Sequence, residues 1–161
     1  EYSHGKPARV FRYTSWKGRQ HLYWQKAYAE DGGYHYIQYH YPEGIKNIEY
    51  HVDAQGRNHG EEWRWDRFGA IRYIENHVHG VLEGIAYSIN IGSYKDKGYT
   101  WASVSAVTYK NDKYLKNVRW IFRYPYKEKK PASEQALADF KSENKRYLTR
   151  ELITAYDDSG S

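Results

Sequence analysis

Apolar and polar side chains alternate every second residue along much of this sequence. Residues 85–91 are the clearest example, since Ile85, Tyr87, Ile89 and Ile91 are separated by alanine, serine and asparagine. Successive side chains of a β-strand point to opposite faces of a sheet, so a period of two predicts half-buried strands. Turn-forming groups such as residues 53–56 interrupt the alternation, and they predict hairpins.

The same alternation recurs over most of the chain. The predicted strands lie at residues 10–13, 21–24, 34–41, 45–52, 61–66, 70–76, 85–91, 101–109 and 118–124. Nineteen tyrosines and six tryptophans suit such strands, because an aromatic ring packs well on a half-buried pleated surface. We therefore predict a mainly β fold, either an antiparallel meander or a partly closed barrel, of about eight strands.

The period changes near the end of the sequence, where we predict one amphipathic helix at residues 133–156. Ser133 is the predicted N-cap, and Glu134 places an acid in the first turn. An apolar stripe at helical spacing comprises Leu137, Phe140, Tyr147, Leu148, Leu152 and Tyr156. The stripe predicts packing on the sheet, with an amphipathic membrane helix as the alternative. Residues 157–161 are predicted to be a flexible tail.

Length and composition favour one domain, residues 1–156, with enough chain to bury a core without staples. The absence of cysteine excludes disulfides, thiolate metal sites and a cysteine nucleophile. Methionine is also absent, so Glu1 is not a natural start; we expect an exported, processed protein or a chain released from a tag, with the compartment unassigned. No apolar run approaches the roughly 18 residues of a membrane helix, so no membrane span is expected.

Glycine-led units recur between residues 33 and 84, each pairing aromatic residues with a turn glycine and a hydrophobic return strand. One unit contains Gly60, Trp63, Trp65, Gly69, Ile71, Tyr73, Gly80 and Gly84, and an upstream unit has Tyr36, Tyr39, Gly44, Tyr50 and Gly56 at similar offsets. This segment resembles the variant MORN repeats of bacterial proteins, some of which are antitoxin or immunity proteins. The resemblance implies stacked hairpins and a binding module rather than a catalyst. A plain meander or small barrel is the alternative explanation.

Histidines suggest a metal site, because His77 and His79 would share one face if both lay on a strand. His59 and Glu61 are candidates to complete it after folding. The competing interpretation is a solvated strand end and turn at residues 76–80.

Acidic residues beside tryptophans suggest a sugar cleft, in which Glu61 or Glu62 would act with a histidine as a hydrolase. Adjacent glutamates on a strand point to opposite faces, so these two cannot themselves be the acid and base pair. The sequence contains no nucleophile elbow, phosphate-binding glycine loop or dinucleotide fingerprint, and no cofactor is predicted.

The sequence contains more residues of the types found in binding sites than of the motifs found in catalytic sites. The candidate binding residues are Tyr36, Tyr39, Trp63, Arg64, Trp65, Arg67, Arg72 and Tyr73. Aromatic and arginine side chains are enriched in protein–protein hot spots, so we predict a protein partner, of adaptor or immunity type. The net charge of +5 and the same mixture also suit single-stranded nucleic acid or another anionic ligand, bound by a β-barrel, which is the second hypothesis.

Overall fold

Strands that follow one another in the chain also lie side by side in the computed structural model, which describes residues 2–3, 6–126 and 132–155. The strands are β1 (Tyr2–Ser3), β2 (Lys6–Pro7), β3 (Arg9–Trp16), β4 (Arg19–Tyr28), β5 (Tyr34–Tyr39), β6 (Lys46–Val52), β7 (Gly60–Trp65), β8 (Ile71–Val78), β9 (Val81–Leu82), β10 (Gly84–Tyr94), β11 (Tyr99–Lys110), β12 (Lys113–Pro125) and β13 (Leu148–Ala155). One helix, α1 (Ala132–Lys141), and a 3-10 turn at Lys95–Lys97 complete the described elements.

The main sheet has eleven antiparallel strands, with β1 and β2 forming a separate pair. Its order is β3-β4-β5-β6-β7-β8-β10-β11-β12-β13, and β9 extends the pairing of β8. The prediction of a mainly β antiparallel meander is thus confirmed, although there are more strands than the predicted eight. The sheet does not close, because β3 and β13 each pair with one neighbour and not with each other.

Each face of the sheet can be followed through its cross-strand partners, since opposite residues in an antiparallel ladder share a face. We call the side that carries α1 the helix face. It runs through Phe11, Gln25, Ile37, Glu49, Trp63, Ile74, Tyr87, Ala106 and Val118. The other side, the reverse face, runs through Ile48, Arg64, Tyr73, Ser88, Ser105 and Arg119.

The hydrophobic core lies under α1, which packs on β8, β10, β11 and β12. Its buried members are Ile71, Ile74, Ile89, Ala102, Val104, Trp120, Phe122, Tyr124, Ala136 and Leu137. Phe140 of the helix contacts the rings of Tyr87 and Trp120, with ring centroids 6.0 and 5.0 Å away. Trp63 and Trp65 pack against the edge of this core and are partly buried. One half of the helix face is therefore covered.

The prediction of a helix over residues 133–156 is wrong beyond Lys141. Glu143 adopts a left-handed conformation with φ of 57°, which ends the helix. The N–H of Asn144 then bonds back to the carbonyl of Asp139 at 2.8 Å, as in a Schellman motif. Residues 148–155 form a strand on the edge of β12 instead. Tyr156 and the predicted tail at 157–161 lie outside the described residues.

Ser133 is not the helix N-cap. It lies inside α1, is fully buried, and its Oγ accepts a hydrogen bond from the N–H of Ile71. The one helix of eight or more residues in the described ranges, α1, is too short and too polar to cross a membrane.

Candidate functional site

The helix face of β3–β7 carries three depressions that share lining residues. Their volumes are about 590, 650 and 140 Å³. His35 lines the first and third, whereas His51 and His59 line the first and second. We call this continuous concavity the open trough. It begins where the covered half of the helix face ends.

Two tryptophans form the floor of the trough beside the core. The rings of Trp63 and Trp65 are stacked, with centroids 5.8 Å apart and an interplanar angle of 19°. Both project to the helix face because they are two residues apart on β7. Trp63 Nε1 donates to Glu61 Oε2 at 2.9 Å, which holds an exposed carboxylate beside the ring platform. A flat aromatic surface with an adjacent acid can contact a cationic side chain.

A pair of stacked imidazoles lies next to this platform. His35 and His51 are cross-strand partners on β5 and β6, and their rings are 4.2 Å apart and nearly parallel. Glu49 accepts hydrogen bonds from His35 Nε2 at 2.8 Å and from Lys46 Nζ at 2.6 Å.

The pKa values of Glu49 and His51 are both lower than usual. Partial burial would raise the pKa of Glu49, but the hydrogen bonds from Lys46 and His35 outweigh it and lower that pKa below its usual value. The pKa of His51 is lowered by partial burial first and by the nearby His35 second, which outweigh the opposing effect of Glu49. His51 therefore favours its neutral form.

Asp53 organises the far end of the trough. Its Oδ1 accepts the backbone N–H groups of Gln55 and Arg57 at 3.0 Å each, and its Oδ2 accepts from Arg57 Nε at 3.0 Å and His79 Nδ1 at 2.9 Å. The backbone bond from Arg57 is the largest reason that the pKa of Asp53 is far below its normal value. His79 also stacks on His59, with centroids 4.6 Å apart. The Asp53 carboxylate thus connects the loop at residues 53–57 to the turn that contains His79.

The predicted binding residues do not form one site. Trp63 and Trp65 line the trough, whereas Arg64 and Tyr73 are partners on the reverse face. Tyr36 also lies on the reverse face, where its ring packs at a tilt between those of Trp24 and Tyr50. The remaining predicted residues are Tyr39, whose hydroxyl accepts from Gln25 Nε2, and Arg67 and Arg72, which pair with Glu43 and Asp66.

The reverse face of β4–β6 is a tyrosine-rich ladder. Lys26 Nζ lies 4.6 Å from the ring centroid of Tyr34 and 5.9 Å from that of Tyr36. Burial raises the pKa of Tyr50 to about 12, so its hydroxyl keeps its proton well above neutral pH. The aromatic rings of this ladder pack mainly on each other.

The three arginines among the predicted binding residues already have carboxylate partners. Arg64 pairs with Glu62 at 2.6 Å, Arg67 with Glu43 at 3.0 Å, and Arg72 with Asp66 at 2.7 Å. A phosphate would have to displace these internal acids. This pairing weakens the nucleic-acid hypothesis.

His77 and His79 have different partners. Strand β8 ends at Val78, and His79 lies in the following turn with φ of 50°, so strand alternation does not extend to it. His79 bonds to Asp53, whereas His77 lies near Glu62 and Glu75. Glu61 faces the trough while Glu62 lies on the reverse face, as expected for adjacent strand residues.

Sequence reasoning missed His35, Glu49, His51 and Asp53 as trough residues. Their proximity depends on the register of β5, β6 and β7, which no local pattern specifies. Only the turn at residues 53–56 carried a local signal, because an aspartate before a glycine turn often accepts backbone N–H groups.

Comparison with models of protein families, with curated proteins and with solved structures found no match. The resemblance to MORN-type repeats over residues 33–84 therefore stays a prediction.

Proposed function

We propose that this chain is a non-catalytic binding module of adaptor or immunity type, and that its partner is a protein that docks in the open trough. The observation that carries this proposal is the unequal covering of one sheet face. Helix α1 packs on β8 and β10–β12, whereas the helix face of β3–β7 presents its aromatic and polar side chains to solvent.

The chemistry of the trough favours a basic partner. Four carboxylate residues line it, against one arginine and one lysine, although the whole chain has a net charge of +5; the four are Asp31, Glu49, Asp53 and Glu61. Glu61 is exposed and forms no ion pair within the described part of the chain. An incoming lysine or arginine would pair with Glu61 while its stem packs on Trp63 and Trp65.

The stacked aromatics support a protein partner further, because tryptophan-centred contacts surrounded by polar residues are typical of binding hot spots. Nucleic acid fits the trough poorly, since its phosphates would meet these carboxylates.

Site-specific photo-crosslinking tests the docking surface. A photoreactive phenylalanine analogue replaces Phe11, an exposed trough residue, or Tyr94, an equally exposed aromatic at the end of β10, with 44% and 47% exposure. We expect one protein to be captured from cells of the source organism at position 11 and not at position 94. That protein is then produced separately, and its affinity is measured by calorimetry.

Charge reversal at Glu61 gives the decisive comparison. Glu61→Lys should weaken the affinity about tenfold or more, because it removes one hot-spot ion pair and adds repulsion. Glu143→Lys, with the same charge change at an exposed site after α1, should leave it unchanged. Equal effects of the two variants, or capture of an oligonucleotide or a second copy of this chain, would overturn the proposal.

A further inference from the structure

Glu62, Glu75 and His77 meet on the reverse face of β7 and β8, away from the open trough. Each can offer one ligand atom, and these atoms all lie within 4.8 Å of one another. We propose that the three residues bind one divalent transition-metal ion, zinc, which ties β7 to β8. This site does not depend on the proposed protein-binding function.

The register of the hairpin brings the three side chains together. Glu62 and Glu75 are direct cross-strand partners, and His77 is the next residue of β8 on the same face. Strand pairing therefore brings the carboxylates of Glu62 and Glu75 and the imidazole of His77 together, although these residues are up to fifteen positions apart in the sequence.

The metal-free arrangement places two largely buried carboxylates opposite each other. Glu62 is only 4% exposed, and the side chain of Glu75 is 13% exposed. Like charges directly opposite each other on neighbouring strands destabilise a sheet, more so when partly buried. Arg64 binds Glu62 Oε1 at 2.6 Å and supplies one positive charge for two carboxylates.

The imidazole provides a second, independent observation. His77 Nδ1 is buried and has no hydrogen-bond partner among the described residues, and the side chain is 12% exposed. The other ring nitrogen, Nε2, lies 3.9 Å from Glu75 Oε1, too far for a good hydrogen bond. A buried nitrogen without a partner is costly, and a metal ion bound at Nδ1 would supply the partner that it lacks.

The ligand set indicates which ion. Imidazole suits zinc and its transition-metal neighbours, whereas calcium and magnesium prefer sets of oxygen ligands. Two carboxylates and one imidazole leave a fourth position for water in a tetrahedral zinc site. Bound there, zinc would neutralise the carboxylate pair and stiffen the hairpin whose opposite face carries Trp63 and Trp65.

Cobalt(II) titration of the tag-free, metal-stripped chain tests the site. We expect one cobalt ion per chain, detected by its visible absorption, and its displacement by zinc but not by calcium or magnesium. His77→Ala should weaken binding by more than the roughly 10–100-fold that loss of an outer-shell partner costs. His79→Ala and Glu61→Gln remove the same chemical groups nearby and should leave the affinity unchanged.

Melting temperatures distinguish a variant that has lost a metal ligand from one that binds metal poorly because it does not fold. Metal-free Glu75→Gln should melt at or above the wild-type temperature, because it removes the carboxylate repulsion. Zinc should raise the melting temperature of the wild type and not that of Glu75→Gln. The proposal fails if the wild type binds no cobalt, if calcium competes as well as zinc, or if His79→Ala weakens binding as much as His77→Ala.

Discussion

The backbone N–H of Ile71 donates a 3.1 Å hydrogen bond to the hydroxyl oxygen of Ser133, 62 residues later in the chain. Ser133 is fully buried, and Ile71 is 5% exposed at the start of β8. This bond fixes the first turn of α1 over β8. Since α1 lies there, the helix face of β3–β7 is left as the open trough.

Ser133→Ala should lower the free energy of unfolding by about 1–3 kcal/mol, because the buried N–H of Ile71 loses its acceptor. Urea unfolding followed by tryptophan fluorescence measures the change. Ser142→Ala is the matched control, since Ser142 is exposed and its hydroxyl makes a long 3.4 Å bond to the carbonyl of Asp139. Equal effects for the two variants would contradict the importance of the Ser133 bond.

Tyr124 should make the fold sensitive to alkali. Its hydroxyl donates to Asp139 Oδ2 at 2.8 Å, and burial first, then Asp139, raise its pKa far above 10.0. The folded chain keeps this proton while the unfolded chain releases it, so stability is retained below pH 10 and lost as the pH rises further. Melting temperatures between pH 8 and 11 should fall less for Tyr124→Phe than for the wild type.

At neutral pH the same substitution should cost about 1 kcal/mol, the net value of one hydrogen bond. Tyr94→Phe serves as control, because Tyr94 is exposed. A wild-type alkaline loss that Tyr124→Phe fails to reduce would count against this assignment.

The strands were predictable because their signal is local. Alternation located β10, where Ile89 is 1% exposed and Asn90 is exposed, although Ile85 is exposed and Ala86 is buried, against the pattern. Turn glycines are a local signal as well, because glycine readily adopts the left-handed conformation that Gly56 has, with φ of 81°.

The end of α1 was not predictable in this way. The left-handed residue that stops the helix is Glu143, and glutamate carries no such signal, whereas glycine would have. Tyr147 and Leu148 continue the apolar stripe in the sequence and do pack on the same core, but from the turn before β13 and from its first residue. Helical periodicity therefore identified four side chains that pack on the core, Leu137, Phe140, Tyr147 and Leu148, but not the backbone that carries the last two, and Leu152 of the same stripe is exposed.

The candidate sites depend on strand register. The sequence therefore identified single binding residues, but not which residues lie together in the folded sheet. Trp63 was recognisable as a binding residue, whereas nothing in the sequence indicated that Glu49 is its cross-strand neighbour. The bulges at residues 38–39 and 64–65 shift the pairing by one position, and no motif in the sequence announces them.

Protonation of Asp53 in acid should loosen the loop at residues 53–57. Its pKa is lowered chiefly by the backbone N–H of Arg57 and then by His79, so the folded state favours the ionised carboxylate. Its contribution is present above the unfolded pKa near 3.8 and is lost as the pH falls below it. The protection factors of the Gln55 and Arg57 amides, measured by NMR exchange relative to the intrinsic rates, should fall below pH 4 in the wild type.

In Asp53→Asn the same amides should have low protection factors at every pH, because the amide oxygen is a weaker acceptor and cannot form an ion pair with Arg57. Asp96→Asn, in the separate turn at Lys95–Lys97, should leave them protected. Protection that is independent of pH in the wild type would disprove the proposed role of the carboxylate.

His51 should remain neutral at a pH where exposed histidines are partly charged. Partial burial and the stacked ring of His35 lower its pKa below 6.5, so protonation favours the unfolded chain. Stability should therefore be fully present above pH 6.5 and decline as the pH falls below it. Imidazole resonances followed by NMR between pH 8 and 5 should show His51 titrating below the usual value.

His35→Gln separates the two causes. Because burial is the larger, removing His35 should raise the pKa of His51 only part of the way to 6.5. His51→Gln should flatten the decline of the melting temperature between pH 7 and 5. If His51 instead titrates at or above 6.5 in the folded chain, the stacked pair does not disfavour charge. The trough would then become cationic in mild acid and repel the basic partner proposed for it.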